Sequence, residues 1–451
     1  MLRTIFVATL MLIGVRYSLK GAFYTLLFYL WIAYFRPDYW IYTDWVTQLN
    51  LSFLVGAAVV ISTLMSGERL RFGFAQMLMV LFLVHSLISA MNCPVLAGFS
   101  PWPTWTDFAR KVTVGLLMVI LVTTEERLRM VFVIICVSLA FEGAKQGWFQ
   151  LVTNPGEPNT NPSPFLGDNN GVAVGMLMLV PVLTALAATS KWKLEKYICY
   201  FLVVGVLYRA ISTYSRGGFL AMLGLGLHYL LRTKRKIRAI LAVAIIVGII
   251  YPVLPNAFWD RMGSIQTAAN ANDDTEMDAS SAGRLHFWKV AVVMADAHPV
   301  LGIGFDSYNY QYDLYDFSNG AYGRLKAVHS AWFGMLAEMG YVGLTIFILL
   351  ILNAFYVNFR ARRLAKTRPD MKNLVIYGTA LEGALVAFAV GGSFVPHQYN
   401  EMLWHFIALT VVLDRLVRDR MTSPIPVPVA APLRVERASA FTGLPRPVAT
   451  P

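Results

Sequence analysis

Residues 170–189 read NGVAVGMLMLVPVLTALAAT and contain no charged residue. At about 1.5 Å per residue, a helix of this length reaches about 30 Å, the thickness of a bilayer's hydrocarbon core. In lipid only a helix or a closed barrel pairs every backbone N–H and C=O. The stretch therefore reads as a membrane-spanning helix, and it decides the fold class because the pattern recurs. Comparable runs lie at 2–15, 21–35, 49–65, 72–91, 112–123, 128–150, 196–213, 217–231, 237–254, 330–357, 373–393 and 402–417. The composition agrees: 57% of the chain is hydrophobic and 14% charged, with a mean hydropathy of +0.55, where soluble domains carry about 25% charged residues. The runs are continuous, not alternating, which excludes a membrane β-barrel. The expectation is an all-α polytopic membrane protein with 12–13 transmembrane helices. The short first run decides between the two counts and is expected to stay as a membrane segment, without a cleavage pattern.

The formal charge of +12 points to the membrane, not to nucleic acid. Basic residues concentrate in alternate connections: Arg16/Lys20, Arg69/Arg71, Arg127/Arg129, Lys191/Lys193/Lys196, the group from Arg232 to Arg238, the stretch from Arg360 to Lys372, and the tail after Arg415. The positive-inside rule puts these, and the C-terminus, in the cytoplasm. The division that follows is 1–254 as N-terminal spans, 255–329 as a large outer loop domain between the last-but-three and last-but-two spans, 330–417 as three C-terminal spans, and 418–451 as a cytoplasmic tail. The tail is rich in Pro and Ala and is expected to be disordered. The three cysteines, Cys93, Cys136 and Cys199, are too scattered for a disulfide framework or a zinc site.

Three outer segments stand out. Arg36 to Gln48 carries Tyr39, Trp40, Tyr42 and Trp45 and reads as an interfacial aromatic belt. Asn154 to Asn170 is a Pro-, Asn- and Gly-rich loop. Pro255 to Val328 begins with an acidic stretch (Asp273, Asp274, Glu276, Asp278) and continues into a helix expected over Gly283–Ala297. Its apolar face would hold Leu285, Trp288, Val292 and Ala295, with Pro299 beyond its end. The turn Gly302-Ile303-Gly304 and a Tyr-rich segment (Tyr308, Tyr310, Tyr312, Tyr315) follow.

Polar residues at membrane depth are costly and mark functional sites. Arg209 and Arg216, seven apart, would share a helix face if the helix continues, and their guanidinium forks suit phosphate or carboxylate. The alternative for Arg216 is snorkelling to lipid head groups. Arg284 lies in the first turn of the expected outer helix. His329 opens the next span, where an imidazole can serve as a general base or simply sit at the interface. His286 and His298 read as structural. His397 and Glu401, on the last outer loop, could face the same site. Glu142 and Lys145, one turn apart, form either an intrahelical ion pair or part of a polar cavity. Asp168, ahead of Asn169 and Asn170, caps a helix or contacts a ligand. The Asp273/Asp274 doublet is a weak metal candidate, and no metal or cofactor is expected.

These motifs resemble the O-antigen ligase/polymerase family of bacterial membrane glycosyltransferases. The matching elements are Ser215-Arg216-Gly217-Gly218, Gly283-Arg284 with Trp288, His298-Pro299 followed by Gly302-Ile303-Gly304, and His329 with Leu336, Glu338, Gly340 and Gly343. They occur in order over Tyr214 to Gly343. Arg36-Pro37 and Asp168-Asn169-Asn170 resemble the branch of O-glycosylation ligases associated with the exosortase A system. One departure is Ser330, where the family commonly has Asn. The resemblance implies a GT-C-like enzyme of the bacterial inner membrane, acting at the periplasmic face without a nucleotide. Its donor would be a preassembled glycan on undecaprenyl diphosphate, and its acceptor a glycan, lipid or protein hydroxyl. Arg209, Arg216 and Arg284 would hold the diphosphate, and His329 would take the acceptor's proton. A polymerase differs from a ligase only in its acceptor. From other classes, a flippase should show paired broken helices or inverted repeats, which this sequence lacks, and a non-catalytic export scaffold would use the large loop for docking.

Overall fold

The computed structural model describes residues 2–40, 50–68, 72–270 and 279–424. Among them there is no strand; isolated bridges join Leu96 to Phe99 and Ser163 to Gly167. The helices are α1 Leu2–Ser18, α2 Ala22–Phe35, α3 Leu51–Met65, α4 Phe74–Met91, α5 Pro101–Leu121, α6 Glu125–Thr153, α7 Asn169–Thr189 and α8 Lys193–Ser212. They continue with α9 Arg216–Arg232, α10 Lys236–Ile250, α11 Asn256–Asn270, α12 Ala279–Ala297, α13 Tyr308–Tyr315, α14 Ala331–Ala365, α15 Lys372–Gly391 and α16 Glu401–Thr422. The protein is an all-α polytopic membrane protein. Four segments are long and apolar enough to cross a bilayer: α4, α7, α14, and α15 with its preceding turn; α2 and α3 are shorter apolar helices. Each of the other seven expected runs falls on a helix that is shorter or carries more charge.

The charge-free run that decided the fold becomes α7, buried over almost its whole length. It packs against α8, α9 and α15. Water is absent from such interfaces, so close packing of small residues supplies much of the attraction. Gly391 of α15 lies against Val174 of α7, and Gly147 of α6 meets the backbone of Gly205 in α8, with no space for a Cβ. Large apolar side chains left outside, such as Leu64, Phe201, Leu227 and Leu352, face outward as a lipid-solvated surface requires.

Three expectations are corrected. The run at 112–123 is the end of a longer helix, since Pro101 at the N-terminus starts α5 eleven positions earlier. The run at 330–357 is not continuous: Gly340 takes φ 66° and ψ −174° and splits α14 into two helical pieces. The last helix continues to Thr422 because its basic residues find partners, Arg418 with Asp414 (2.6 Å) and Arg420 with Glu125 (2.8 Å). The rest of the tail from 425, Arg69/Arg71, Tyr42 and Trp45, and the acidic stretch Asp273 to Asp278 lie outside the described residues.

Among the described residues, the basic connections around Arg127, Arg129 and Arg368 gather at one end of the bundle. There Asn373 donates to Glu125 (2.8 Å), Arg129 pairs with Glu195, Arg368 donates to the Arg420 carbonyl (2.6 Å), and Arg127 covers the Phe23 ring (4.8 Å). The opposite end carries the loops 154–168 and 392–400 and helices α11 to α13. On α12 the buried face is Phe287, Val290, Ala291 and Met294, an i, i+3, i+4, i+7 stripe. Of the expected Leu285, Trp288, Val292 and Ala295, Ala295 is buried and Trp288 packs against this face, while Leu285 and Val292 lie at its edge because the bulkier Phe287 and Met294 take the interior. These residues form one core with Ile303, Tyr308, Tyr312, Val328 and Ala337 of α14. The large loop is thus fused to the helix that follows it.

Candidate active site

The Gly-x-Gly segment sets the geometry. Gly302 (φ 68°) passes against the backbone of Glu338, where a Cβ would collide, and Ile303 N donates to Ala337 O (2.9 Å). Across the kink, Tyr341 N donates to Pro299 O (2.9 Å), and a Cβ on Gly340 would lie 2.6 Å from that same oxygen. Glu338 accepts from Tyr308 N (3.3 Å), Gln398 (3.3 Å) and Tyr399 (2.9 Å). The glycines and the buried acid of this motif therefore clamp the outer helices onto α14.

That clamp positions His329, two residues before α14. Trp288 Nε1 holds the carbonyl of Val328 (3.1 Å), and Ala331 N donates to Gly392 O (2.7 Å). Between these two anchors His329 adopts φ 48°, a left-handed conformation that costs a non-glycine residue energy and persists only where its surroundings over-determine it. Ser330 is fully buried, and its Oγ caps α14 by accepting from Phe333 N (3.4 Å). The Ser330 hydroxyl is thereby given to the helix start. Burial pushes the imidazole pKa below its ordinary 6.5; Arg284 and Lys326 push the same way, and Asp168 opposes them. The ring is therefore neutral at physiological pH, the state able to accept a proton.

Arg216 is brought to the same place from the membrane side. The helix does not continue from Arg209, so the two arginines do not share a face. α8 stops at Ser212, Tyr214 turns at φ 56°, and Ser215 Oγ caps the new helix α9 by accepting from Gly218 N (3.1 Å). Arg261 fixes the turn by donating to Tyr214 O (2.8 Å). Arg216 Nη1 donates to Ser264 (2.9 Å) and Ser281 (3.0 Å). Arg284 lies one turn beyond Ser281, on the second turn of α12 and not the first, because the helix begins at Ala279. Arg209 turns elsewhere: Nη1 and Nη2 hold the carbonyls of Asn159 (2.9 Å) and Asn161 (2.6 Å), clamping the loop 154–168 to the bundle.

That loop ends at Asp168, which caps α7 through Gly171 N (2.8 Å) and lies within electrostatic reach of both His329 and His397. His397 bonds Leu166 O (3.0 Å), and burial lowers its pKa. Glu401 does not join this group: it is buried inside the bundle, accepting from Tyr29 (2.7 Å) beside His405 (3.7 Å). Glu142 and Lys145 form their ion pair (2.7 Å) on the far side of the loop. His286 bonds Asp316 (2.7 Å) and His298 bonds Tyr315 (3.0 Å), both within the outer segment. Lys326, Ser264, Ser281 and Arg261 were not singled out from sequence. Lys326 is a lone loop cation, and serines in a polar stretch give no spacing signal.

Two arginines, a neutral imidazole and a carboxylate thus converge at one end of a membrane bundle. Residues 201–348 match the family model described as O-Antigen ligase. The chain carries an O-antigen ligase domain. No curated protein matches the chain. The O-antigen ligase match takes in Arg209, Arg216, Arg284, His329 and Glu338. Asp168 and His397 come from outside it and lie beside the cluster, whereas Glu401, Glu142 and Lys145 lie both outside the match and apart from the cluster. The matched family is one of membrane enzymes of the glycosyltransferase-like ligase/polymerase type, whose general partners are a lipid-linked glycan and an acceptor.

Proposed function

We propose that this protein is an O-antigen ligase-type glycosyltransferase of the bacterial inner membrane, with its C-terminus in the cytoplasm. It moves a preassembled glycan from undecaprenyl diphosphate to an acceptor hydroxyl at the periplasmic face. The observation that carries this reading is the convergence of Arg216 and Arg284 around Ser281, with the neutral imidazole of His329 beside Arg284. The imidazole accepts the proton of the acceptor hydroxyl. The acceptor oxygen forms a bond to the anomeric carbon, and the bond from that carbon to the diphosphate oxygen breaks with its electron pair. One displacement inverts the anomeric centre. Arg216 and Arg284 stabilise the charge that grows on the departing diphosphate, where fixed cations in a water-poor site act most strongly. Arg209 contributes by clamping the loop that carries Asp168. Ligase and polymerase share this chemistry and differ in the acceptor.

The test is single replacement, Arg216→Lys, Arg284→Ala and His329→Ala, with glycan transfer assayed in cells at matched expression. Each variant should lose transfer, His329→Ala by about 10²–10⁴-fold as expected for a lost general base. Full transfer in both His329→Ala and Arg284→Ala would defeat the mechanism. Mass spectrometry of the new attachment point separates ligase from polymerase.

A further inference from the structure

A cavity of about 290 Å³ lies across the loop 154–168 from the transfer cluster. Its walls come from Arg3 of α1, the end of α2 and the turn after it, the middle of α6, and Pro162 to Phe165. Its aromatic wall is Trp40, stacked on Phe35 (5.2 Å between centroids, 17°) and tilted against Phe141 (5.8 Å). Two cations lie over the same indole, Lys145 at 4.8 Å and Arg3 at 5.8 Å from its centroid. A third, Arg36, begins the turn that presents Trp40. It holds φ 55°, a conformation usually left to glycine, and is tied to Asp38 (3.0 Å). On α6, Gln146 donates to Glu142 (2.9 Å), while its buried Oε1 finds no hydrogen-bond partner among the described residues. A buried amide oxygen left this way invites a donor from a ligand.

We propose that this cavity binds a single anionic sugar unit, a sugar phosphate or a uronic acid. The apolar face of the ring lies on Trp40, the anion is held by Lys145, Arg3 and Arg36, and a ring hydroxyl donates to Gln146 Oε1. The volume is at the small end of ligand pockets, about 300–1,000 Å³, and suits one ring and its anionic group. Among the described residues, Arg3, Arg36 and Lys145 stand against Glu142 and Asp38, which pair with Lys145 and Arg36, so the excess charge is positive and favours an anion. The aromatic wall and the amide select a sugar over a bare ion. The loop joins the two places: Phe165 lines the cavity, the next residue bonds His397, and Asp168 acts on His329. The binding claim stands apart from the transfer reading, so either can fail alone.

Calorimetry on the full chain in phosphatidylcholine nanodiscs tests it, with glucose 1-phosphate, glucuronate, glucose and inorganic phosphate as probes. The two anionic sugars should bind at least about tenfold more tightly than glucose or phosphate. Lys145→Gln, at a half-exposed side chain, and Trp40→Phe should each weaken them. Arg216→Lys should leave them unchanged. Equal binding of phosphate and glucose 1-phosphate would reduce the cavity to a plain anion site and overturn the proposal. So would anionic-sugar binding that survives both Lys145→Gln and Trp40→Phe, or no binding at all. Loss of binding in phosphatidylglycerol nanodiscs would assign the cavity to a lipid head group instead.

Discussion

His329 holds a backbone conformation that the chain would not choose locally, and its neighbours tune it in opposite directions. Lys326 lowers its pKa and Asp168 raises it. Removing the cation should therefore make the imidazole easier to protonate, and removing the carboxylate should make it harder. In pH profiles of transfer, Lys326→Gln should move the acid limb to higher pH and Asp168→Asn should move it to lower pH, Asn being chosen because it still caps α7. Identical acid limbs in both variants would mean that another group titrates. Much of this was legible in the sequence. Arg216, Arg284 and His329 stand in motifs whose polarity is conspicuous in an apolar chain. What the sequence hid was who touches whom. Arg209 resembled a ligand-binding arginine until the loop carbonyls of Asn159 and Asn161 took its donors, and Glu401 resembled a member of the outer-face group until Tyr29 and His405 enclosed it. Asn159, Asn161 and Tyr29 lie 48 to 372 positions from the residues they hold, beyond any local pattern.

At the scale of elements, the outer helices are pinned to α14 by two glycines. Gly302 and Gly340 both have positive φ, and each faces the other's backbone neighbourhood at contact distance. Alanine at either position would add a strained φ and a collision with backbone that cannot move aside. Each substitution should cost more than the ~0.4–1 kcal/mol that a Gly→Ala change gains at a compatible site, seen as a lower thermal midpoint and faster proteolysis between α11 and α14. Gly263, where nothing lies near a Cβ, is the control and should tolerate alanine. Unchanged thermal midpoints in Gly302→Ala and Gly340→Ala would contradict the clamp. The sequence announced these glycines by spacing, Gly302-Ile303-Gly304 and Gly340 with Gly343, but not the kink: a run of apolar residues reads as one helix until tertiary contact bends it. The choice of Phe287 and Met294 over Leu285 and Val292 on α12 has the same origin, since all four are apolar and only packing against Ile303 and Tyr308 decides between them.

For the whole molecule, the alternation of basic connections translates directly into two chemically different ends. Arg127, Arg129, Lys193 and Arg368 belong to one, and Asn159, His329 and His397 to the other. If the basic end faces the cytoplasm, cysteines introduced at Lys193 and at Asn319 should label from opposite sides of intact cells, Asn319 with an impermeant reagent and Lys193 only after permeabilisation. Labelling of both from outside would undo the orientation. Fold class was the most legible feature, because about 30 Å of lipid constrains composition more severely than any packing rule does.

The central claim is a division of labour between arginines that hold the diphosphate and a histidine that moves the proton. Single-turnover transfer from a polyprenyl-diphosphate glycan by the purified protein, with donor affinity measured in parallel, tests it most directly. The account predicts that His329→Ala keeps donor affinity and loses turnover by about 10²–10⁴-fold, whereas Arg284→Ala weakens donor binding. Turnover in His329→Ala equal to that of the unaltered protein would contradict it.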